Sequence, residues 1–194
     1  MANRPYLRKA TGTSGGMQIQ FLDGTATTPK KIQITGITSY PEVPNVILTT
    51  QDELFLDRGK AVGMIEGDDA VDFPEFTITF DVIDDKVSTG MHETKQFLVN
   101  KVDPADGTTP LVSLNTGETT IVDENGNDYT LSLTENKFLF KMEYLFDSSE
   151  TGKAFGYSYL VYISGFTYSE ANGRLQCTIT GQAYSKGTEI TALS

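Results

Sequence analysis

The 194-residue chain carries 15 Lys and Arg against 26 Asp and Glu, a formal charge of −11 at pH 7. That balance argues against a basic nucleic-acid-binding surface for the chain as a whole. One Cys excludes an intrachain disulfide, and one His beside it supplies little for a zinc site. Aromatic residues at 10% argue against wholesale disorder, and the length predicts one domain with a sizeable core. The N-terminus predicts no signal peptide, and no stretch approaches the ~18 apolar residues of a membrane span.

Residues 1–16, ending in a Thr/Ser/Gly-rich run, read as an extended arm. Residues 17–184 read as a single β-rich domain, because short segments of period two follow one another. Met17–Leu22 and Lys31–Tyr40 are the first predicted strands. A long connection of about 41–74 follows, framed by Pro41, Pro44 and a Gly/Asp cluster over 57–69. Val46–Thr49 and Leu54–Leu56 are its predicted hairpin arms. Phe76–Ile83 is the clearest strand, with Phe76, Ile78, Phe80 and Val82 alternating against Thr77, Thr79 and Asp81.

The pattern breaks at about 90–102. There Met91, Leu98 and Val102 share a helical face, Ser88 or Thr89 offers a cap, and Pro104 a stop. An amphipathic helix covering a sheet is expected. Strands resume at Leu111–Leu114. Two hairpins carry Asn-Gly tips. Thr119–Val122 and Tyr129–Leu133 flank Asn125-Gly126, and Phe166–Ser169 and Arg174–Gln182 flank Asn172-Gly173. Phe138–Phe146 and Phe155–Ser164 are long aromatic strands between them. Residues 185–194 read as a polar tail. The sum predicts a mainly β chain: a β-sandwich or distorted barrel, one amphipathic α-helix, a long inter-strand loop and extended arms at both ends.

Charge is unevenly spread. Residues 1–31 hold five bases (Arg4, Arg8, Lys9, Lys30, Lys31) and one acid, a net +4. The remaining 10 bases and 25 acids give −15. Eight acids and no base lie between Lys60 and Lys86: Glu66, Asp68, Asp69, Asp72, Glu75, Asp81, Asp84 and Asp85. A solvated acidic surface explains this run most simply; docking of the basic arm on neighbouring copies is the sharper reading.

No catalytic or metal site emerges, and no cofactor is predicted. Nothing marks His92 as a general base, and it reads as solvent-facing. Cys177 alternates with Leu175 and Ile179, so it reads as a buried, inert thiol. Asp123, Asn125 and Asn127 begin like a calcium loop, but position six is Asp128 and position twelve Thr134, so a hairpin explains them better. Asp68-Asp69, Asp84-Asp85 and Glu75 form no recognisable catalytic pair. Tyr157, Tyr159, Tyr162 and Tyr168 offer a sugar-stacking platform, against which stands ordinary cross-strand packing.

The order of elements resembles the tail-tube (major tail) proteins of long-tailed bacteriophages and the tubes of contractile tails and type VI secretion. Three stretches carry it. Leu54-Phe-Leu-Asp57-Arg58-Gly-Lys60 and the acidic loop lead into Phe76-Thr-Ile-Thr-Phe-Asp81. That strand runs into the single helix Gly90-Met-His-Glu-Thr-Lys-Gln-Phe-Leu-Val-Asn100. The last strand, Leu175-Gln-Cys-Thr-Ile-Thr-Gly-Gln182, passes through Tyr184-Ser-Lys-Gly187 into a polar tail. The segment from Asp103 to Leu133 departs from the pattern.

The resemblance implies a non-enzymatic virion protein, made in the host cytoplasm and assembled into the tail. Six copies would form a ring, and stacked rings a tube that conducts DNA without binding it specifically. It implies as partners the chain itself and tape-measure, tail-tip and terminator proteins, with no membrane. The implied inter-subunit loop is Glu53, Leu54, Phe55, Leu56, Asp57, Arg58 and Lys60. The arm would contact neighbours through Arg4, Tyr6, Arg8 and Lys9. Thr77, Thr79 and Asp81 are the candidate lumen-facing positions, where polar or acidic groups let DNA slide. The alternatives are another virion protein of this fold, such as a tail terminator, and a carbohydrate- or host-surface-binding β-sandwich. An acidic DNA mimic would account for the charge but not for the loop and arm. Deleting residues 1–14 is expected to leave the circular dichroism spectrum unchanged and to shorten stacked assemblies seen by electron microscopy; unaltered stacking would remove the arm from the contact.

Overall fold

The structure is a computed structural model. It describes residues 16–34, 36–39, 43–50, 53–57, 60–65, 69–82, 87–88, 91–133, 136–147 and 154–194. Sixteen strands are formed by these residues: β1 Gly16–Leu22, β2 Lys31–Ile34, β3 Ile37–Ser39, β4 Ile47–Thr50, β5 Glu53–Asp57, β6 Lys60–Ile65, β7 Asp69–Asp72, β8 Glu75–Asp81, β9 Val87–Ser88, β10 Met91–His92, β11 Glu118–Asp123, β12 Asp128–Ser132, β13 Leu139–Asp147, β14 Phe155–Ala171, β15 Arg174–Ala183 and β16 Thr188–Ile190.

The large sheet has the order β2-β1-β13-β14-β15-β8-β3, with β16 also on β14; the smaller has β12-β11-β4-β7. Every pairing in the large sheet is antiparallel, whereas β11 and β4 run parallel. The predicted strand Lys31–Tyr40 is in fact two. Gly36 takes φ +69°, a turn conformation open to glycine, and sends β2 and β3 to opposite edges of the sheet. Three residue steps from Ile34 to Ile37 span at most about 10 Å. The sheet therefore curls until its edges approach, as in a distorted barrel, without their pairing.

Its inner face is apolar. Ile19 and Phe21 of β1, Phe140 and Met142 of β13, Val161 of β14, Ile179 of β15 and Ile78 of β8 are all buried. Ile121 and Val46 bring the smaller sheet onto the same core, and the two sheets form a sandwich. Cys177 is buried there, as its alternation predicts.

Both Asn-Gly hairpins form. Asn172 and Gly173 take φ 54° and 71°, the two positive angles a two-residue turn requires. At the other, Gly126 alone among the tip residues has positive φ (87°). The separate strands Phe155–Ser164 and Phe166–Ser169 merge into the single β14, with a bulge between Ile163 and Gly165. The bulge resets the alternation without ending the strand.

Four expectations are corrected. The 41–74 connection is mostly strand, and Val46–Thr49 does not pair with Leu54–Leu56. Instead β4 pairs with β7 and β11, and β5 with β6. The helix is shorter than 90–102: an α-turn, Glu93–Lys95, passes into a π-turn, Gln96–Asn100. Its buried residues are Thr94, Gln96, Phe97 and Leu98, while Met91 lies in β10. His92, not Ser88 or Thr89, is the N-cap, and Lys101 at φ 58° ends the turn before Pro104. Leu111–Leu114 is not a strand. It runs beside β13, with Leu114 N donating to Leu139 O at 2.9 Å and Leu139 N to Ser113 Oγ at 2.9 Å. Finally, residues 185–194 are no free tail, because β16 adds to β14.

Gly156 marks a close approach. A Cβ there would lie 1.9 Å from the Tyr144 carbonyl oxygen, a backbone atom that cannot yield. Gly156→Ala is expected to lower the unfolding free energy in urea by more than about 2 kcal/mol.

Candidate functional site

The residues implied as an inter-subunit loop form a hairpin. β5 and β6 pair from Glu53↔Ile65 to Asp57↔Lys60, with an irregularity between Phe55 and Leu56. Neither strand joins either sheet. Arg58 and the arm residues Arg4, Tyr6, Arg8 and Lys9 lie outside the described residues, as do Glu66, Asp68, Asp84 and Asp85.

Thr77, Thr79 and Asp81 do share one face of β8, opposite the buried Phe76, Ile78 and Phe80. Strand β15 continues that face, placing Thr180, Thr178 and Gln176 beside them in register. The Thr79 and Thr178 hydroxyls lie 3.2 Å apart, and Thr79 N donates to Ser39 Oγ at 3.0 Å. From Glu75 to Asp81 and from Gln176 to Gln182 the sequence contains no base. Asp81 is not a free acid of this face. It is buried, accepting from Gln176 Nε2 at 2.8 Å and from Arg174 Nη1 at 3.0 Å. The Gln176 hydrogen bond, then that of Arg174, hold its carboxyl below the ordinary range against the opposing effect of burial. Arg174 is thereby the partner of an acid at the hairpin's end.

The other candidates disperse. His92 stands edge-on to Phe166 and Tyr168, at centroid distances of 6.5 and 5.6 Å, and is half-buried where a solvent-facing position was expected. Asp123 spends its carboxylate on the turn, accepting from Asn125 N, Asn127 N and Asn127 Nδ2 at 2.7–2.9 Å. Among the described residues no group of three or more His, Cys, Asp or Glu is placed to hold a metal ion. The four tyrosines make no platform. Tyr159 is buried and donates to Val43 O at 2.7 Å, Tyr162 lies under Lys137 on the opposite face, and Tyr168 is exposed beside His92. No helix among the described residues is long and apolar enough to cross a membrane.

One polar site has no counterpart in the sequence reading. Glu143 of β13 is fully buried, and its Cα partner is Gln20 of β1. Gln20 Nε2 donates to Glu143 Oε2 at 2.7 Å, and Lys141 Nζ lies 2.5 Å from Oε1. Ser194 supplies two further donors, its N at 2.8 Å and its Oγ at 2.6 Å. Lys31 Nζ and Gln20 Nε2 donate in turn to Ser194 O, at 2.8 and 3.1 Å. Burial pushes the Glu143 carboxyl up, but the bonds from Lys141, Ser194 and Gln20 prevail and bring it down to about 2. The signal available in sequence was an acid and a base two residues apart in a strand; its partners are distant in the chain.

No protein-family model matches the sequence, and no curated protein is similar to it. Among solved structures, a chain in the sixfold-symmetrised cryo-electron microscopy structure of the anti-feeding prophage (AFP) baseplate is similar. The likeness covers 94% of this chain and 97% of that one, at 8% identity and a TM-score of 0.43. A likeness of that degree assigns no function.

Glu143 makes stability depend on acid. Its folded-state value, about 2, lies below the ordinary 4.5, so its contribution is complete above pH 4.5 and lost as pH falls through 2. Urea unfolding of the wild type is expected to weaken over that window. Glu143→Gln is expected to be less stable at pH 7 and to lose less across it; parallel curves would contradict the assignment.

Proposed function

We propose that the chain is a non-enzymatic structural subunit of a phage-type tail tube, self-assembling into stacked rings around a DNA-conducting channel. The β5–β6 hairpin carries this reading. An isolated two-stranded hairpin is at best marginally stable in water. This one joins neither sheet of its own subunit, yet its strands contain Leu54, Phe55, Leu56, Val62, Met64 and Ile65. A second copy of the chain is the partner that would cover it.

Two further features support the reading. The hydroxyl- and amide-rich face of β8 and β15 suits the wall of a channel. It offers DNA phosphates no run of bases to release counterions against, so passage costs little and sticking is weak. The +4 N-terminal region and the −15 remainder favour head-to-tail association, and heterologous contacts of that kind close into rings or extend as filaments. Ring number, and the tape-measure, tip and terminator partners, belong to the same proposal through the sequence resemblance.

Negative-stain microscopy and light scattering of the concentrated protein test it. Rings or hollow tubes are the expected result. Phe55→Glu should abolish them while leaving the urea midpoint of the dispersed protein within error. A wild type that stays monomeric at every concentration, or a variant that assembles normally, would overturn the assembly role given to the hairpin.

A further inference from the structure

Beyond β15 the chain turns along its own sheet. Strand β15 pairs with β14 from Val161 to Ala171, and β16 takes up the same strand lower down, through Ser158↔Thr188, Tyr157↔Glu189 and Gly156↔Ile190. On that side of Gly156–Ser158, β16 is the neighbour that pairs with the backbone. Without it these residues would present open N–H and C=O groups, the template on which another strand adds.

The segment is fastened at two places. One is the short β16 ladder. The other is Ser194, gripped by Glu143, Gln20, Lys31 and Lys141, side chains of three adjacent strands. Little apolar burial assists. Thr188, Glu189, Thr191, Ala192 and Ser194 are exposed, and only Ile190 and Leu193 are half-buried. Segments held by a few hydrogen bonds open at low free energy while the core stays closed. Opening would leave no orphaned charge either, because Gln20 and Lys141 remain on Glu143 and water replaces Ser194.

We propose that residues 188–194 are a releasable latch. Pinned on Glu143, the latch closes the β14 edge at Gly156–Ser158; lifted, it leaves that edge to the same segment of a second copy. The second copy is favoured because its Thr188–Ile190 and Ser194 satisfy, bond for bond, the register and donors already matched within one chain, the condition under which exchange between protomers costs least. The latch thus rests on the self-assembly reading for its partner, though not for its closed state.

Hydrogen exchange tests the closed state. Glu143→Gln, and separately Ser194→Ala, are expected to speed exchange across 156–158 by about tenfold, with Ile19–Phe21 unchanged. Unchanged exchange at 156–158 in both variants overturns the latch. Should Glu143→Gln loosen the whole sheet, Ser194→Ala, which leaves Glu143 with Gln20 and Lys141, decides. The double variant Ser158→Cys with Thr188→Cys, Cα partners in the ladder, tests release. Oxidised glutathione should close the pair within one chain, and the closed form should assemble about tenfold more slowly than the reduced form. Failure to close, or equal rates for the two forms, overturns the proposal. If neither the wild type nor the reduced variant assembles, it is the self-assembly reading that fails, and exchange at 156–158 alone judges the latch.

Discussion

Ile34 and Ile37 sit on opposite edges of the large sheet, yet two residues separate them in the chain. No flat arrangement of seven strands, spaced about 4.8 Å apart, allows that. The sheet must curl, and the curl decides which groups are inside. Alternate residues of β1, β13, β14, β15 and β8 converge on one apolar interior, where Phe21, Phe140 and Ile78 are at or near zero exposure. The smaller sheet completes that interior through Val46 and Ile121. Most polar side chains of these strands are turned outward, whereas Tyr159 points into the core and donates its hydroxyl to Val43 O.

The outer face is not uniformly wet. Near Glu143 it is covered by the C-terminal segment. Burying a carboxylate there costs several kcal/mol. Donors to a charged group return about 1.5–3 kcal/mol each. Gln20, Lys141 and the two donors of Ser194 are enough to hold it ionised, which ties the end of the chain to the middle of the sheet. Farther round, on β8 and β15, the same face carries threonines and glutamines that bond mostly to one another and to backbone. Of the two acids there, Asp81 is matched by Arg174 and Gln176, and Glu75 is exposed at the other end of the strand. One side of the curl is thus anchored by a buried carboxylate, and the other is mostly hydroxyl and amide.

Open strand edges are a hazard to any β protein, because they template pairing with other chains. Here β2 and β3 are short, four and three residues, and one side of β14 is covered by β15 and then β16. The hairpin β5–β6 pairs with neither of the two larger sheets. The net charge is −11, while the first 31 residues alone carry +4.

Local pattern determined much of this protein. Period-two alternation marked β8, β13 and β15 and the burial of Cys177, and Asn-Gly marked two turns, because both signals depend on neighbours in the chain. Patterns that need a distant partner to give them meaning were read less well. Leu111–Leu114 has the composition of a strand, but its hydrogen bonds are scattered over Lys101, Asp23, Gly24 and Leu139 and form no continuous ladder. Met91 and Val102 have helical spacing, but Phe97 and Leu98 take the core positions. Ile32 and Ile34 continue into Ile37 on paper, and Gly36 separates them in space. The candidate site divides in the same way. The polar face of Thr77, Thr79 and Asp81 was legible in β8 alone, whereas the pairing of Asp81 with Arg174, 93 residues on, was not. The Glu143 site had only Lys141, two residues away, as a local trace, and its partners at residues 20, 31 and 194 had none. The sequence by itself determined which residues alternate, where the chain turns and how charge is shared between its ends. Which strands are neighbours, which edge is capped and which acid is buried were decided only by tertiary structure, since each is a contact between segments that no local preference brings together.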